Sequence, residues 1–303
     1  MAQKGHLARV QCTEVWTAMT AEFYQEYLKS AAGATGCQHP WRRKLLYSMN
    51  PTKVRVCAYL INFHERKGDK ILVFCDNLYC LKRYASLMKR HYICGSVKQS
   101  DRIRLLERFK TTDEVSCLFV SRVGDSAIDL PTASVIIQIA CTDGSRRQEA
   151  QRMGRILRPK SGRVDTETHN AFFYTLVSPQ TEEVYYASKR QSFLVDQGYS
   201  FKVLAHAASL ADAPGLPLDS RRAQLDQLAE VLAGSETEIG IEHHGAVPAD
   251  ADTYMQPAAS SMLAPVRRTE GLAALSGGVG IMYQEFSSGQ RRDVARQLAD
   301  SSM

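Results

Sequence analysis

The chain has 303 residues, and 44% of them are apolar, which is ordinary for a globular protein with one or two cores. Its formal charge of +6 and pI near 8.8 permit a nucleic-acid partner but do not establish one. No stretch approaches the ~18 apolar residues of a membrane span, and no basic start followed by an apolar run marks an export signal. We therefore expect a soluble protein that is not exported and has no membrane partner.

Residues 1–49 are predicted to be an N-terminal lead-in with one helix near 20–30. Its basic run PWRRK, 40–44, could touch a polyanion, but we interpret a short charge run of this kind as a loop. A helix should then begin at NPTKV, because Asn50 suits the N-cap, Pro51 the first helical position and Gly68 the residue past the end.

Residues 50–204 are predicted to form one doubly wound, mostly parallel α/β domain. Short runs that are apolar nearly throughout are typical of strands covered on both faces. They alternate with helical stretches at 77–90, 100–110 and 145–158, which is the pattern of such a sheet. The predicted strands are ILVFC (71–75), HYIC (91–94), SCLFV (116–120), ASVIIQIA (133–140) and AFFYTLV (171–177).

Two further helices are predicted downstream. The first begins at a Ser178 cap followed by Pro179. The second, at 219–236, belongs to a C-terminal helical extension (205–236) and has three leucines in step, Leu225, Leu228 and Leu232. Between residues 237 and 281 the composition turns to Gly, Ala, Pro, Ser and acids with little periodicity, so we expect residues 237–303 to be a largely disordered tail.

The eight cysteines show no C-x-x-C and no paired spacing typical of zinc. Because several lie inside apolar runs, we interpret them as buried, reduced thiols of a cytosolic or nuclear protein. The eight histidines show no metal-ligand spacing either, and we predict no metal site formed by this chain.

The stretch SRRQEAQRMGRILRP, 145–159, is predicted to be a helix that ends before Pro159. Its spacing places one column of side chains toward the sheet (Ala150, Met153, Leu157) and another away from it (Gln151, Arg155, Arg158). A solvated basic face is the simpler interpretation. Gly154 favours a functional one, since glycine costs a helix interior about 1 kcal/mol relative to alanine unless another group must approach closely.

Arginine suits the charge that spreads over phosphate oxygens during phosphoryl transfer, so the pair Arg155 and Arg158 is typical of arginine fingers. The loop SRVGDSAIDLP, 121–131, follows a buried strand, and Gly124 and Ser126 could hold a phosphate there while Asp129 accepts from a ribose hydroxyl. Ordinary turn chemistry would explain the same residues. In the helix at 100–110, Ile103, Leu106 and Phe109 are predicted to face the sheet, with the basic residues outside and one or two phosphate contacts near its start.

The sequence has no G-x-x-x-x-G-K followed by Ser or Thr, and no D-E-x-H or D-E-x-D box that would hold magnesium. The arginine pair therefore has no phosphate cradle within this chain. We therefore expect negligible ATP hydrolysis by this chain alone.

The ordered set KILVFCDN, GSVKQSDR with LLERFK, SRVGDSAIDLP and EAQRMGRILR resembles motifs four through six of the superfamily-two helicases, in their second RecA-like domain. More narrowly, RVQCTEVW, SRRQEAQRMGRILRPKSG, NAFFYTLVS and the KRQ-x-FLVDQGYSFKV block (189–203) resemble the C-terminal half of the XPB family of DNA helicases. The resemblance covers residues 7 to about 236. It departs from the common motif at Ala127, where related helicases often have glycine.

The resemblance implies that Arg155 and Arg158 act as fingers on ATP and Mg²⁺ held mainly by a first RecA-like domain, with Gln151 and Gly154 at the domain interface and Asp129 near the ribose. It further implies that a set of residues follows the phosphates of a DNA strand, namely Arg102, Ser121, Gly124, Asp125 and Ser126. The implied function is half of a nuclear 3′-to-5′ DNA helicase or translocase for promoter opening and nucleotide excision repair. Its implied partners are double-stranded DNA, the first RecA-like domain, TFIIH subunits and repair factors.

Two alternatives remain open. The chain could be a standalone RecA-like module that binds DNA or a partner without catalysis, which tight DNA binding by the isolated chain would favour. It could also be half of an RNA helicase, since RNA helicases share the motifs, but the 189–203 block argues against that.

Overall fold

The computed structural model describes residues 9–32, 40–121, 133–140, 152–154 and 169–234, all within one compact unit. Seven strands form one sheet, namely β1 (Val10–Trp16), β2 (Ile71–Phe74), β3 (His91–Ile93), β4 (Cys117–Val120), β5 (Val135–Gln138), β6 (Ala171–Val177) and β7 (Ser200–Leu204). Among the described residues, the helices of eight residues or more are α1 (Ala21–Ala32), α2 (Pro40–Ser48), α3 (Pro51–Arg66), α4 (Leu78–Leu87), α5 (Gln99–Thr111), α6 (Glu183–Asp196) and α8 (Arg221–Ala233), with a short α7 (Ala208–Ala211) between the last two.

The strand order is β3-β4-β2-β5-β6-β1-β7, and every neighbouring pair runs parallel. The doubly wound parallel sheet predicted from the sequence is therefore confirmed. All five predicted strands are present, and β2, β4 and β5 are buried at every position, as expected for strands covered on both faces.

Two apolar layers cover the sheet. One face packs against α1 to α4, α7 and α8, with Phe23, Leu46, Val54 and Leu228 among its buried side chains. The other face packs against α5, residues 152–154 and α6 through Phe109, Met153 and Leu194. The C-terminal extension thus shares the main core, because Leu228 and Val231 belong to the first layer.

The start of α3 follows the sequence prediction. The Asn50 side chain accepts from the Thr52 N–H at 3.2 Å and donates to the carbonyls of Thr17 and Ala18. Pro51 begins the helix, and Gly68 follows its end with a φ of +72°, a conformation that glycine adopts without strain. Asn50 therefore caps α3 and ties it to the end of β1.

The prediction for residues 1–49 is wrong in two places. Residues 10–16 form β1, which lies between β6 and β7 inside the sheet. The PWRRK run begins helix α2 instead of a loop, because Leu45, Leu46 and Tyr47 directly after it are buried in the core and hold the segment as a helix. The helix predicted near 20–30 is confirmed as α1.

The downstream helices are present with corrected details. Helix α6 begins at Glu183, not next to Ser178, because Gln180 has a left-handed φ of +63° that interrupts a helix. In α8 the buried residues are Gln227, Leu228 and Val231, whereas Leu225 is exposed. The predicted disordered tail, 237–303, lies outside the described residues.

Two buried groups of polar side chains stabilise the packing of the helices on the sheet. At the amino edge of the sheet, His64 bonds to Asp69 at 2.8 Å and to the Tyr174 hydroxyl at 3.0 Å, while Ser134 donates to Asp69. Burial raises the pKa of Tyr174, so its hydroxyl stays protonated and can donate. These bonds satisfy polar groups that join α3, β6 and the residues preceding β2 and β5.

The second group lies at the carboxyl end of β6. Lys53 Nζ and Glu183 Oε2 lie 2.6 Å apart with both side chains 0% exposed. The same carboxylate oxygen accepts from the Ser178 N–H at 2.7 Å. This ion pair joins α3, the β6–α6 turn and α6.

Candidate functional site

Three of the predicted site residues lie in the described part of the structure: Arg102, Ser121 and Gly154. The others lie outside it, and their roles remain predictions: Gly124, Asp125, Ser126, Asp129, Gln151, Arg155 and Arg158. The described residues around these gaps nevertheless define the edge of the sheet at which the site would form.

That edge is the carboxyl edge, because all seven strands run parallel and end on the same side. In open α/β sheets, ligands bind in the crevice beyond the carboxyl ends of the strands. Asp76 follows β2, Ser121 follows β4 and Gln138 ends β5, and these three strands are neighbours in the order β4-β2-β5. The predicted loop 121–131 starts at the same edge.

Arg102 lies in the first turns of α5 and is half-buried. Its Nη2 donates to the carbonyls of Cys94 and Val97, at 3.3 Å each, so the side chain braces the loop between β3 and α5. Gly95, Ser96 and Lys98 of that loop are exposed. Arg102 therefore shapes an accessible surface near the start of α5, and its predicted phosphate contact remains a prediction.

The predicted inner face of α5 needs correction at Ile103, which is 55% exposed. Phe109 is fully buried, and Leu105 and Leu106 pack against the same layer. At 100° per residue, position 103 lies about 120° from Phe109, whereas position 102 lies only about 20° from it. Arg102 therefore lies on the inner face of α5, although the sequence predicts its basic residues on the outer face.

Ser121 directly follows β4 and is 0% exposed. Its N–H donates to the Ile93 carbonyl at 3.0 Å, which extends the pairing of β3 with β4 by one residue. In this structure Ser121 anchors the start of the predicted loop within the sheet. A direct contact of its side chain with a phosphate remains a prediction.

Residues 152–154 are helical, in agreement with the predicted helix 145–158. Met153 is buried against the sheet, as the column assignment predicts. Gly154 is exposed, and a Cβ built on it meets no atom of the described residues within 4 Å. The backbone at Gly154 is therefore open to approach from outside the described part of this chain.

Arg152, the first residue of this segment, is one of the largest side chains buried among the described residues, at 2% exposed. Its Nη2 lies 2.8 Å from Asp76 Oδ1, and its guanidinium carbon lies 4.7 Å from the centre of the Phe74 ring. When the Gln138 side chain is oriented with its amide oxygen toward Arg152, this oxygen accepts from Arg152 Nη1 at 2.9 Å and from Arg190 Nη2 at 3.0 Å. We call Phe74, Asp76, Gln138, Arg152 and Arg190 the Arg152 cluster.

No pattern in the sequence predicts the Arg152 cluster. Arg152 reads as one of several basic residues in SRRQEAQRMGR, and Asp76 and Arg190 lie 76 and 38 positions away. The cluster exists because β2 and β5 are adjacent in the sheet, with Phe74 opposite Gln138. A local pattern carries no signal for such a contact.

The cysteines are buried as predicted at all six described positions, and none of these six forms a disulfide: Cys12, Cys57, Cys75, Cys80, Cys94 and Cys117. Burial raises the pKa of the Cys57 and Cys80 thiols well above the ordinary value. Those two thiols are therefore protonated and poor nucleophiles at neutral pH.

The described residues form neither a metal-binding group nor a membrane-spanning helix. No three of their His, Cys, Asp or Glu side chains come together as a group that could hold a metal ion. Within the same ranges, every helix is too short or too polar to cross a membrane.

A family model described as ERCC3/RAD25/XPB C-terminal helicase matches residues 1–258. The chain belongs to this family. The resemblance to XPB helicases found in the sequence is thereby confirmed, and the parallel sheet with helices on both faces is the fold expected for it.

Curated XPB relatives are similar along nearly the whole chain. The XPB/SSL2 helicase/translocase subunit of general transcription and DNA repair factor IIH from Saccharomyces cerevisiae is 47% identical over 298 residues, covering 97% of this chain and 34% of the relative. The XPB subunit from Dictyostelium discoideum is 45% identical over 292 residues (95% and 35%), and that from Schizosaccharomyces pombe is 43% identical over 297 residues (98% and 35%). The chain spans about a third of the length of these XPB proteins.

Proposed function

We propose that this chain is the C-terminal motor domain of an ATP-dependent 3′-to-5′ DNA helicase or translocase that opens promoters and acts in nucleotide excision repair. It would work in the nucleus within general transcription and DNA repair factor IIH, the factor named for its relatives. Double-stranded DNA, the other subunits of that factor and repair factors would be its partners. The observation that carries the proposal is the match of residues 1–258 to the XPB C-terminal helicase family.

The nucleotide would be shared between two domains. ATP with Mg²⁺ supplies the phosphoryl group whose transfer to water drives such a motor. In our proposal another RecA-like domain holds it, while Arg155 and Arg158 place guanidinium groups on the phosphate oxygens and Asp129 lies near the ribose. Gln151 would couple the nucleotide to the domain interface. The open space beside Gly154 supports close approach of that second domain.

DNA would run across the start of α5 and the loop 121–131. Lys98 and Arg104 are exposed there, and the free N–H groups at a helix start favour phosphate. Arg102 would hold the β3–α5 loop in shape and, with Ser121, Gly124, Asp125 and Ser126, follow the phosphates of one strand. Closure and release of the two domains would shift these contacts along the DNA.

The test is reconstitution of ATPase activity. We expect this chain alone to show negligible ATP hydrolysis, and a mixture or fusion with the ATP-binding domain of the same protein to hydrolyse ATP faster when double-stranded DNA is added. Duplex RNA of the same length is the comparison ligand.

Three results would contradict the proposal. DNA-stimulated hydrolysis by the chain alone would refute the shared site. Tight DNA binding with no hydrolysis in the combined protein would favour the standalone module. Equal stimulation by duplex RNA would favour an RNA helicase.

Gly154→Ala gives a separate prediction about domain approach. Because the new methyl group meets no described atom within 4 Å, the isolated chain should be equally stable or gain up to about 1 kcal/mol. In the combined protein, ATP hydrolysis should fall, because the methyl group would obstruct the approaching domain. Ser192→Ala, on the exposed face of α6, is the control for a general gain in helix stability. Unchanged hydrolysis in Gly154→Ala would show that nothing approaches this backbone closely.

A further inference from the structure

The Arg152 cluster lies where the sheet meets the helix predicted to carry the two fingers. We propose that Arg152 is a positioning residue, which fixes that helix on the carboxyl ends of β2 and β5 and thereby aims Arg155 and Arg158. This inference rests on the proposed function and deepens it, since it names the group that holds the fingers in place.

The attachment is specific because Arg152 is held from three directions. Asp76 binds one terminal nitrogen at 2.8 Å, the Gln138 amide oxygen binds the other at 2.9 Å, and the Phe74 ring lies 4.7 Å from the guanidinium carbon. Phe74 and Gln138 are opposite each other on paired strands. The planar guanidinium fork therefore has a single orientation, defined by two adjacent strands.

Helix geometry connects this anchor to the fingers. A helix advances 1.5 Å and turns 100° per residue. In the predicted helix, Arg155 and Arg158 would follow Arg152 by about 4.5 Å and 9 Å along the axis, turned about 60° and 120° away from it. If the helix continues past Gly154, Arg158 would lie away from the buried side defined by Arg152 and Met153, and Arg155 would lie at its border. Because a short helix moves as a stiff body, a shift at the anchor would displace both.

Arg190 connects the same anchor to α6. It is 2% exposed and donates to the same Gln138 oxygen at 3.0 Å. Helix α6 follows β6 directly and packs Leu194 into the layer that contains Met153. Gln138 is therefore the shared acceptor through which α6 and the finger helix are held in a defined relation.

Stability alone gives a poor account of this arrangement. Apolar side chains of similar volume often stabilise a core as well as a buried ion pair does. A group with directional bonds to two strand ends, however, specifies an orientation that apolar packing leaves freer. Buried directional bonding next to residues that need exact placement therefore points to positioning.

Hydrogen exchange on the chain tests this role without ATP. Arg152→Lys keeps the charge but cannot span Asp76 and Gln138 with one ammonium group, and Asp76→Asn keeps the size but removes the carboxylate. In both variants we expect amide exchange of peptides covering residues 150–158 to accelerate by about tenfold or more, while peptides from β6 and α3 stay protected. Val231→Ala, in the opposite layer, is the control for a general loss of stability.

Either of two exchange results would overturn the proposal: unchanged exchange of 150–158 in both variants, or the same acceleration in Val231→Ala. A charge-conserving substitution such as Arg152→Lys is expected to fold, which melting curves would verify. If Arg152→Lys and Asp76→Asn both failed to fold while Val231→Ala folded, the cluster would be a stability element and the positioning role would be refuted.

ATP hydrolysis in the combined protein separates this inference from the proposed function. A small displacement of a catalytic group can lower a rate by about 10²-fold, so Arg152→Lys and Asp76→Asn should lower kcat strongly and change KM little. If Arg158→Ala abolishes hydrolysis but these variants keep the parent kcat, the positioning role is wrong and the finger assignment stands. If Arg158→Ala keeps full activity, the proposed function itself fails.

Discussion

Replacing Arg158 by alanine should lower ATP hydrolysis of the combined protein by about 10³-fold or more, because an arginine finger contributes 10³ to 10⁵ to the rate of phosphoryl transfer. The guanidinium would act on charge that develops only in the transition state, so kcat should fall while the KM for ATP changes little. Arg158→Lys should also be impaired, since an ammonium lacks the planar fork. Steady-state ATPase measurements with saturating double-stranded DNA check both variants.

The control for Arg158→Ala is Arg222→Ala, which removes an exposed arginine from the surface of α8. Arg222→Ala should leave hydrolysis unchanged. Neither variant should change the melting temperature. Full activity of Arg158→Ala would show that Arg158 lies on a solvated basic face, the simpler interpretation of its sequence. Loss of folding in Arg158→Ala would equally contradict the assignment, because an outward finger should contribute little to the core.

Replacing Lys53 by methionine should destabilise the chain by about 3–5 kcal/mol, because removing one partner of a buried ion pair leaves a buried charge that has lost its counter-charge. Both side chains are 0% exposed, and the substitution removes the ammonium group that lies 2.6 Å from the Glu183 carboxylate while leaving its bond to the Ser178 N–H. The free energy of unfolding from urea titration, monitored by circular dichroism, is the measurement. A loss of this size is a large part of the stability of an ordinary domain.

A second ion pair at the same distance, but exposed to solvent, isolates the effect of burial. Lys29 and Glu26 lie at the same 2.6 Å, but Lys29 is 59% exposed, so Lys29→Met should cost no more than about 1 kcal/mol. The double variant Lys53→Met with Glu183→Gln should recover much of the loss, since a glutamine oxygen can still accept from Ser178. Equal costs for Lys53→Met and Lys29→Met would contradict the argument from burial.

The strands between 71 and 177 could be predicted because each is short and bounded by helical patterns and most are apolar nearly throughout, although β3 is exposed at His91 and Tyr92. Strands that are buried on both faces of a parallel sheet need apolar residues at nearly every position, so a short apolar run indicates such a strand. Helix α3 was predictable for a similar reason, since Asn50, Pro51 and Gly68 act through their own backbone neighbourhood. In these cases the controlling interactions are local or depend on burial alone.

Prediction failed where a distant contact decides the local structure. Strand β1 contains Thr13 and Glu14, both buried, and no local pattern places such a strand between β6 and β7. The basic start of α2 indicated a loop, but its apolar end packs into the core and the segment is helical. Ile103 was assigned inward for its apolarity, although helix geometry and packing place Arg102 there instead.

For the site, residue types and their spacing are enough to identify the family and the order of the motifs, because both depend only on which residues stand where along the chain. The tertiary structure alone decided that Arg152 lies inside, bound to Asp76 and Gln138, because that bond requires β2 and β5 to be neighbours in space. Side-chain burial and ion pairing between distant positions follow from chain topology, which no local pattern encodes.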